Sequence, residues 1–135
     1  PNDKYYGIQT LRAIENFQIT GIPISHSTEF IQAFAMVKKA CAQTNEDLNV
    51  LDPKISSVIQ KAADAIINGE LIDQFPIDQI QGGAGTSTNM NVNEVIANKA
   101  LEFLGFAKGT YEVISKKTCK RRFMVGGYAR ARGWE

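Results

Sequence analysis

The stretch from Asp52 to Gly69 constrains the fold most, because it carries both a start signal and a stop signal for a helix. Asp52 can accept a hydrogen bond from a free amide as N-cap, and Pro53 suits the first helical position, where no donor is lost. Gly69 can adopt the left-handed conformation that ends a helix. Apolar residues recur in between at helical spacing, at Ile55, Val58, Ile59, Ala62 and Ile66. The stretch therefore predicts an amphipathic helix with one buried face.

Two more helices are predicted before it. A shorter one covers residues 7–16. A longer one begins near Glu29 and runs to about Leu48, and its apolar residues recur at spacings of four, three and four, which predicts a single buried stripe. The stripe consists of Phe30, Phe34, Val37 and Cys41. Cys41 is therefore expected as a small core residue.

The fourth helix is predicted to begin between Thr86 and Thr88 and to end at Gly105. Apolar residues surround its second half, so we expect more than one neighbour to bury it. Strand signals are weak, because Pro76 interrupts the best candidate, residues 75–80. The predicted fold class is mainly α.

The charged residues divide the chain in two. Residues 1–112 contain eight Lys or Arg and thirteen Asp or Glu, a net charge of −5, whereas residues 113–135 contain seven Lys or Arg and one Glu, a net charge of +6. A change of this size is typical of an appended segment. We therefore predict a boundary at Ser115, with a helical domain at 1–115 and a basic tail at 116–135. A chain of 135 residues that is 44% hydrophobic can form one globular domain with its own core.

The remaining composition bears on location and on metal chemistry. Two cysteines are too few for a disulfide framework and fit a reducing cytoplasm. The first ten residues, PNDKYYGIQT, contain no apolar core, so we expect no signal peptide. No apolar stretch approaches the roughly 18 residues of a membrane span. The only histidine, His26, is expected in a solvated loop, so we expect no metal site. Asp73 and Asp78 are expected to be exposed loop acids rather than a catalytic pair.

One segment, Gln81 to Asn91 (QGGAGTSTNMN), has the composition of a ligand site. Glycines allow positive φ and close approach of a ligand to the backbone, and the helix start that follows presents free amides to an anion. A phosphate loop of the Walker type is excluded because no lysine follows the glycines, and the dinucleotide pattern lacks its third glycine. The segment suits a small anion such as a carboxylate. A capped glycine loop without a ligand is the alternative.

Residues 82–98 (GGAGTSTNMNVNEVIAN) resemble a signature of the aspartase/fumarase superfamily, in its N-terminal domain. Residues 5–13 (YYGIQTLRA), 15–17 (ENF) and 73–76 (DQFP) match the family as well, so the resemblance runs in order over residues 1–115. Class II fumarases typically carry serine at the position of Ala84 and glutamine at that of Ser87. The chain therefore resembles the aspartase branch, and a class II fumarase is the alternative.

The resemblance implies an activity, the reversible deamination of L-aspartate to fumarate and ammonia without an organic cofactor. It implies that Thr86, with its neighbour Ser87, hydrogen-bonds the substrate carboxylate. Arg12 matches an arginine of the N-terminal motif and is a further candidate for carboxylate binding; a structural ion pair with Glu15 is the alternative. Family active sites are assembled from three subunits of a homotetramer.

The resemblance stops at Ser115, where the family continues with a second signature and a central helical bundle that carries the catalytic serine base. We therefore expect an N-terminal fragment that lacks this bundle, contains no catalytic residue and is inactive alone. The basic tail, with its interleaved aromatic residues, has the composition of a nucleic-acid-binding extension. We favour a non-family end instead, because no nucleic-acid-binding fold signature is present. A third interpretation is a module for subunit interaction.

Overall fold

A computed structural model describes residues 3–114; the predicted basic tail at 116–135, and the nucleic-acid-binding alternative that depends on it, lie outside these residues. Two 3₁₀ turns, Ile24–His26 and Ile72–Gln74, accompany the helices. Within residues 3–114 the only strand-like pairing is an isolated bridge between Pro23 and Asp78. The mainly α prediction is confirmed. The four α-helices are α1 (Ile8–Asn16), α2 (Thr28–Asp47), α3 (Pro53–Ile67) and α4 (Thr86–Phe103).

Helix α3 forms as its local signals predict. The Asp52 carboxylate accepts hydrogen bonds from the amides of Lys54 (2.8 Å) and Ile55 (3.3 Å), and Pro53 occupies the first helical position. Gly69 follows the helix end with φ of +90°. The buried face includes Val58, Ile59, Ala62 and Ile66, whereas Ile55 is partly buried.

The predicted apolar stripe of α2 is wrong by about one position. Phe30 and Val37 are each 46% exposed, and Cys41 is only half-buried. The buried face of α2 instead consists of Ile31, Ala35, Lys38, Ala42 and Asn45. Both sets fit a helical period. The set with the alanines is the buried one because small side chains let α2 approach α3 closely, where Ala62 and Ala63 are also fully buried.

Helix α4 is the central element of the core. It packs against α3, α1 and α2, which confirms that more than one neighbour buries it. Val95, Ile96 and Leu101 have no exposed surface. Within the described part of the chain, no helix is both long and apolar enough to cross a membrane.

Glu94 of α4 is a fully buried acid that caps another helix. One carboxylate oxygen, Oε2, accepts hydrogen bonds from the Gly7 amide (2.9 Å) and from the amide and hydroxyl of Thr10 (3.1 and 2.8 Å). The other oxygen accepts from the Gln9 amide at 3.0 Å. Helix α1 has no side-chain cap of its own, so α4 supplies the acceptor that its first turn needs.

Asp78 is buried, and the prediction that it is an exposed loop acid is wrong. Its carboxylate accepts hydrogen bonds from the amides of Thr20 (2.7 Å), Gly21 (2.9 Å) and Ile80 (2.8 Å), and from the Thr20 hydroxyl. Burial alone would raise the pKa of Asp78, but these hydrogen bonds outweigh it and hold the pKa well below the usual range. Asp78 thereby ties the segment after α1 to the segment that leads into α4. Asp73 is exposed, as expected.

Candidate functional site

The glycine-rich loop that precedes α4 contains three consecutive left-handed residues. The φ angles are 86° at Gly83, 51° at Ala84 and 80° at Gly85. Glycine adopts this conformation without a penalty, whereas Ala84 pays about 1–2 kcal/mol for it. The loop then enters α4 at Thr86, and residues 82–86 are exposed to solvent.

The base of the loop is closed by Gln81 and Thr88. The Gln81 side chain donates from Nε2 to the Thr88 hydroxyl (2.9 Å) and to the main-chain oxygen of Asp78 (2.9 Å). Its Oε1 accepts from the Thr88 amide (3.1 Å). The Phe17 ring lies beside Gly82, since a Cβ added to Gly82 would be 3.5 Å from that ring. These contacts close the base of the loop and leave its other end exposed.

The amides at the start of α4 divide into occupied and open ones. The Thr86 amide donates to the Gly83 carbonyl (3.1 Å), and the Thr88 amide is occupied by Gln81. Within residues 3–114 the amides of Ala84, Gly85 and Ser87 donate no hydrogen bond. Open amides at the positive end of a helix favour an anion.

The two predicted ligand side chains differ in what they already bind. The Thr86 hydroxyl donates to the Gly83 carbonyl at 2.9 Å, inside the loop. The Ser87 hydroxyl makes no hydrogen bond within the described part of the chain. Ser87 thus offers both an amide and a hydroxyl to a ligand, whereas Thr86 must first turn its hydroxyl away from Gly83.

Arg12 lies on α1, and its side chain is exposed. Among residues 3–114, neither an ion pair with Glu15 nor a hydrogen bond to Thr86 or Ser87 involves it. Within the described residues, the structure therefore places Thr86 and Ser87 side by side at the start of α4 and gives Arg12 no hydrogen bond to either. His26 is exposed, as expected.

Lys38 lies near the loop and is not among the predicted site residues. It lies on α2 with 5% of its surface exposed, and its Nζ contacts Oδ1 of Asn89, in the first turn of α4. The amino group of a buried lysine therefore lies next to the first turn of α4, where the candidate site is. Its signal is in the sequence, because Lys38 continues the helical period of Ile31 and Ala35 and interrupts that buried face with a charge.

The chemistry of the loop is that of neutral donors. Within residues 3–114, no three His, Cys, Asp or Glu side chains lie close enough together to hold a metal ion. Of the asparagines in the first two turns of α4, Asn91 and Asn93 are fully buried, so only Asn89 remains partly exposed. The exposed donors are amides and hydroxyls, which suit a carboxylate.

The chain matches a lyase family over residues 1–119. It is 52% identical to the aspartate ammonia-lyase of Pseudomonas aeruginosa over 114 residues, and 54% identical to that of a Bacillus species over 115 residues. These matches cover 84% and 85% of this chain, but 24% of each relative. The chain thus spans about a quarter of the length of the curated relatives it matches.

Solved structures give the same picture of the fold. A fumarate lyase:delta crystallin from Brucella melitensis, bound to cobalt, superposes with a TM-score of 0.86 at 50% identity, and the match covers 87% of this chain and 25% of that one. A class II fumarase from Schistosoma mansoni superposes with a TM-score of 0.73 at 34% identity, over 82% of this chain and 23% of that one.

Proposed function

Because the chain belongs to the lyase family that it matches over residues 1–119, we propose that it is the N-terminal domain of an aspartate ammonia-lyase. Such an enzyme is a carbon–nitrogen lyase that converts L-aspartate to fumarate and ammonia. The relatives that bear this name, at 52% and 54% identity, support the reaction. A class II fumarase is the weaker candidate, since the one compared is only 34% identical.

The observation that carries the proposal is the open end of the glycine loop. Removal of a proton next to the substrate's β-carboxylate places additional negative charge on that carboxylate. Donors that are already oriented stabilise this charge most strongly, because they need no reorganisation in the transition state. The amide and hydroxyl of Ser87 are such donors. We propose that they bind the carboxylate together with the Thr86 hydroxyl, which exchanges the Gly83 carbonyl for the ligand.

Arg12 has a more distant role in this proposal. It is exposed on α1, and the ring of Phe17, the residue that follows α1, lies near Gly82 of the loop. We propose that Arg12 contributes positive charge near the bound dicarboxylate and does not donate a hydrogen bond to it.

The remainder of the active site is proposed to come from elsewhere. The chain covers 24% of its relatives, and we propose that the catalytic base lies in the part it does not cover, within a homotetramer. The 1–115 segment is then the domain with the site, and 116–135 a separate basic tail. We further propose that the reaction needs no organic cofactor and takes place in the cytoplasm.

A chimaera tests the proposal. Residues 1–115 of this chain replace the matching segment of the Bacillus relative, and fumarate formation is followed by its ultraviolet absorbance. We expect deamination of L-aspartate within about tenfold of the parent enzyme, no hydration of fumarate to malate, and no activity from the purified 135-residue chain alone. A chimaera that forms tetramers like the parent but converts malate and not aspartate would overturn the assignment in favour of a fumarase.

A further inference from the structure

Helix α4 begins without a side-chain cap from its own neighbours. Its N-cap residue is Gly85, in the left-handed conformation. The N-cap of an α-helix is most often Ser, Thr, Asp or Asn, whose side-chain oxygen accepts a hydrogen bond from one of the first amides. The acceptor here is Oε1 of Gln81, which lies seven residues before the Thr88 amide that it binds. The glycine loop lies between these two residues.

The contact between Gln81 and Thr88 uses both ends of the Gln81 amide. Oε1 accepts from the main chain of Thr88, and Nε2 donates to the Thr88 hydroxyl and to the Asp78 carbonyl. Thr88 is 5% exposed, so its amide and hydroxyl need partners inside the protein. A glutamate at position 81 would keep the acceptor but lose the donor, and a leucine would lose both.

This contact determines which donors of the loop remain open. With the Thr88 amide bound to Gln81 and the Thr86 amide bound to Gly83, Ser87 is the one residue of the first three in α4 whose amide has no partner within residues 3–114. The same closure spans the left-handed residue Ala84, whose conformation is unfavourable by itself. A loop released at its base would relax at Ala84, and the Ser87 amide would lose its fixed direction.

We propose that Gln81 is a positioning residue: by bridging Thr88 and the Asp78 carbonyl, it holds the glycine loop so that the amide and hydroxyl of Ser87 face the substrate carboxylate. This inference rests on the proposed function, since the substrate is the one assigned there. Gln81 acts through the loop and does not itself touch the substrate.

The first test uses the 135-residue chain, labelled with ¹⁵N. Gln81→Leu is compared with Gln60→Leu, a matched control, because Gln60 is also partly buried and bonds a side-chain hydroxyl, that of Ser56, at 3.1 Å. Hydrogen exchange at the Thr88 amide should accelerate about five- to tenfold in Gln81→Leu, as expected for one net hydrogen bond, with altered amide shifts at Ser87. Gln60→Leu should leave both unchanged. An unchanged Thr88 exchange rate in folded Gln81→Leu would overturn the proposal.

The second test measures kinetics in the chimaera. Gln81→Leu should raise the KM for L-aspartate and lower kcat, so that kcat/KM falls about 30-fold or more, whereas Gln60→Leu should leave kcat/KM within about twofold. Gln81→Glu keeps the acceptor for the Thr88 amide, so this variant should remain folded. Because it adds a negative charge beside the anion site, its KM for L-aspartate should be at least as high as that of Gln81→Leu. An active wild-type chimaera with an equally active Gln81→Leu variant would refute the positioning role alone. An inactive, tetrameric wild-type chimaera would refute the proposed function instead, and the exchange test would then decide the role of Gln81.

Discussion

Replacement of Glu94 is expected to destabilise the domain by detaching α1 from α4. Residues 7–10 donate four hydrogen bonds to its carboxylate, three of them to Oε2. In Glu94→Gln, the remaining oxygen can serve the three donors on the Oε2 side, and the new NH₂ group then faces the Gln9 amide, donor against donor. Hydrogen bonds to a buried charged group contribute about 1.5–3 kcal/mol each. We therefore expect a loss of about 2–3 kcal/mol from one missing bond and weaker remaining ones.

Glu94→Ala removes every acceptor and should cost more, about 4 kcal/mol or above, because three main-chain amides lose their partner together with the Thr10 hydroxyl. Such a loss is large against a total stability of about 5–15 kcal/mol for a domain.

Urea unfolding followed by helical circular dichroism measures these losses. Glu70→Gln is the control, because Glu70 is exposed and surface changes stay within about 0.5 kcal/mol. Hydrogen exchange should also accelerate in α1 of Glu94→Gln more than in α3. If Glu94→Gln is no less stable than Glu70→Gln, or if α1 and α3 lose protection equally, Glu94 does not hold α1 on α4.

Three other changes have expected outcomes. Asp52→Ala removes the N-cap of α3 and should lower the free energy of unfolding by about 1 kcal/mol, measured in urea; no change would show that the cap contributes nothing. The folded pKa of Asp78 lies below its ordinary value of 3.8, so its contribution to the free energy of unfolding is present above that pH and is lost as the pH falls below it. In acid titrations, the stability of Asp78→Asn should therefore depend less on pH than that of the wild type. Parallel curves would contradict this. Burial is the main cause that raises the pKa of Tyr5 from 10.0 to about 12, and a hydrogen bond to Glu102 adds to it. The contribution of Tyr5 to stability is therefore present below pH 10 and is lost as the pH rises towards 12. Tyr5→Phe should lack this alkaline loss, which thermal midpoints of both proteins across this pH range would measure.

The parts of the fold that depend on residues close together in the sequence could be predicted from it. Asp52, Pro53 and Gly69 act within a turn of the helix that they delimit, so the bounds of α3 follow from them. The buried face of α2 could not be predicted in this way. Two sets of residues share its period, and the choice between them depends on how closely α3 approaches, which is a property of the packed core.

The candidate site likewise has a part that could be predicted from the sequence and a part that could not. The glycine loop and the two hydroxyl residues after it, Thr86 and Ser87, were visible in the sequence, because glycines and hydroxyls adjoin there. The contacts that hold the loop and the neighbouring segments were not visible. Glu94 binds an amide 87 residues away, and Asp78 binds one 58 residues away. Such pairs exist only after the fold has brought the segments together.

The central claim is that the start of α4 binds the substrate carboxylate of an aspartate ammonia-lyase, and the most direct measurement is kcat/KM for L-aspartate in paired variants of the chimaera. A double variant, Thr86→Ala with Ser87→Ala, is compared with Thr110→Ala, since the Thr110 hydroxyl also donates to the carbonyl three residues earlier, at 2.8 Å. Loss of donors to a developing negative charge typically lowers the rate by about 100- to 1,000-fold, and we expect a decrease of that order in the double variant and none in Thr110→Ala. A double variant that assembles normally and retains the kcat/KM of Thr110→Ala would contradict the account.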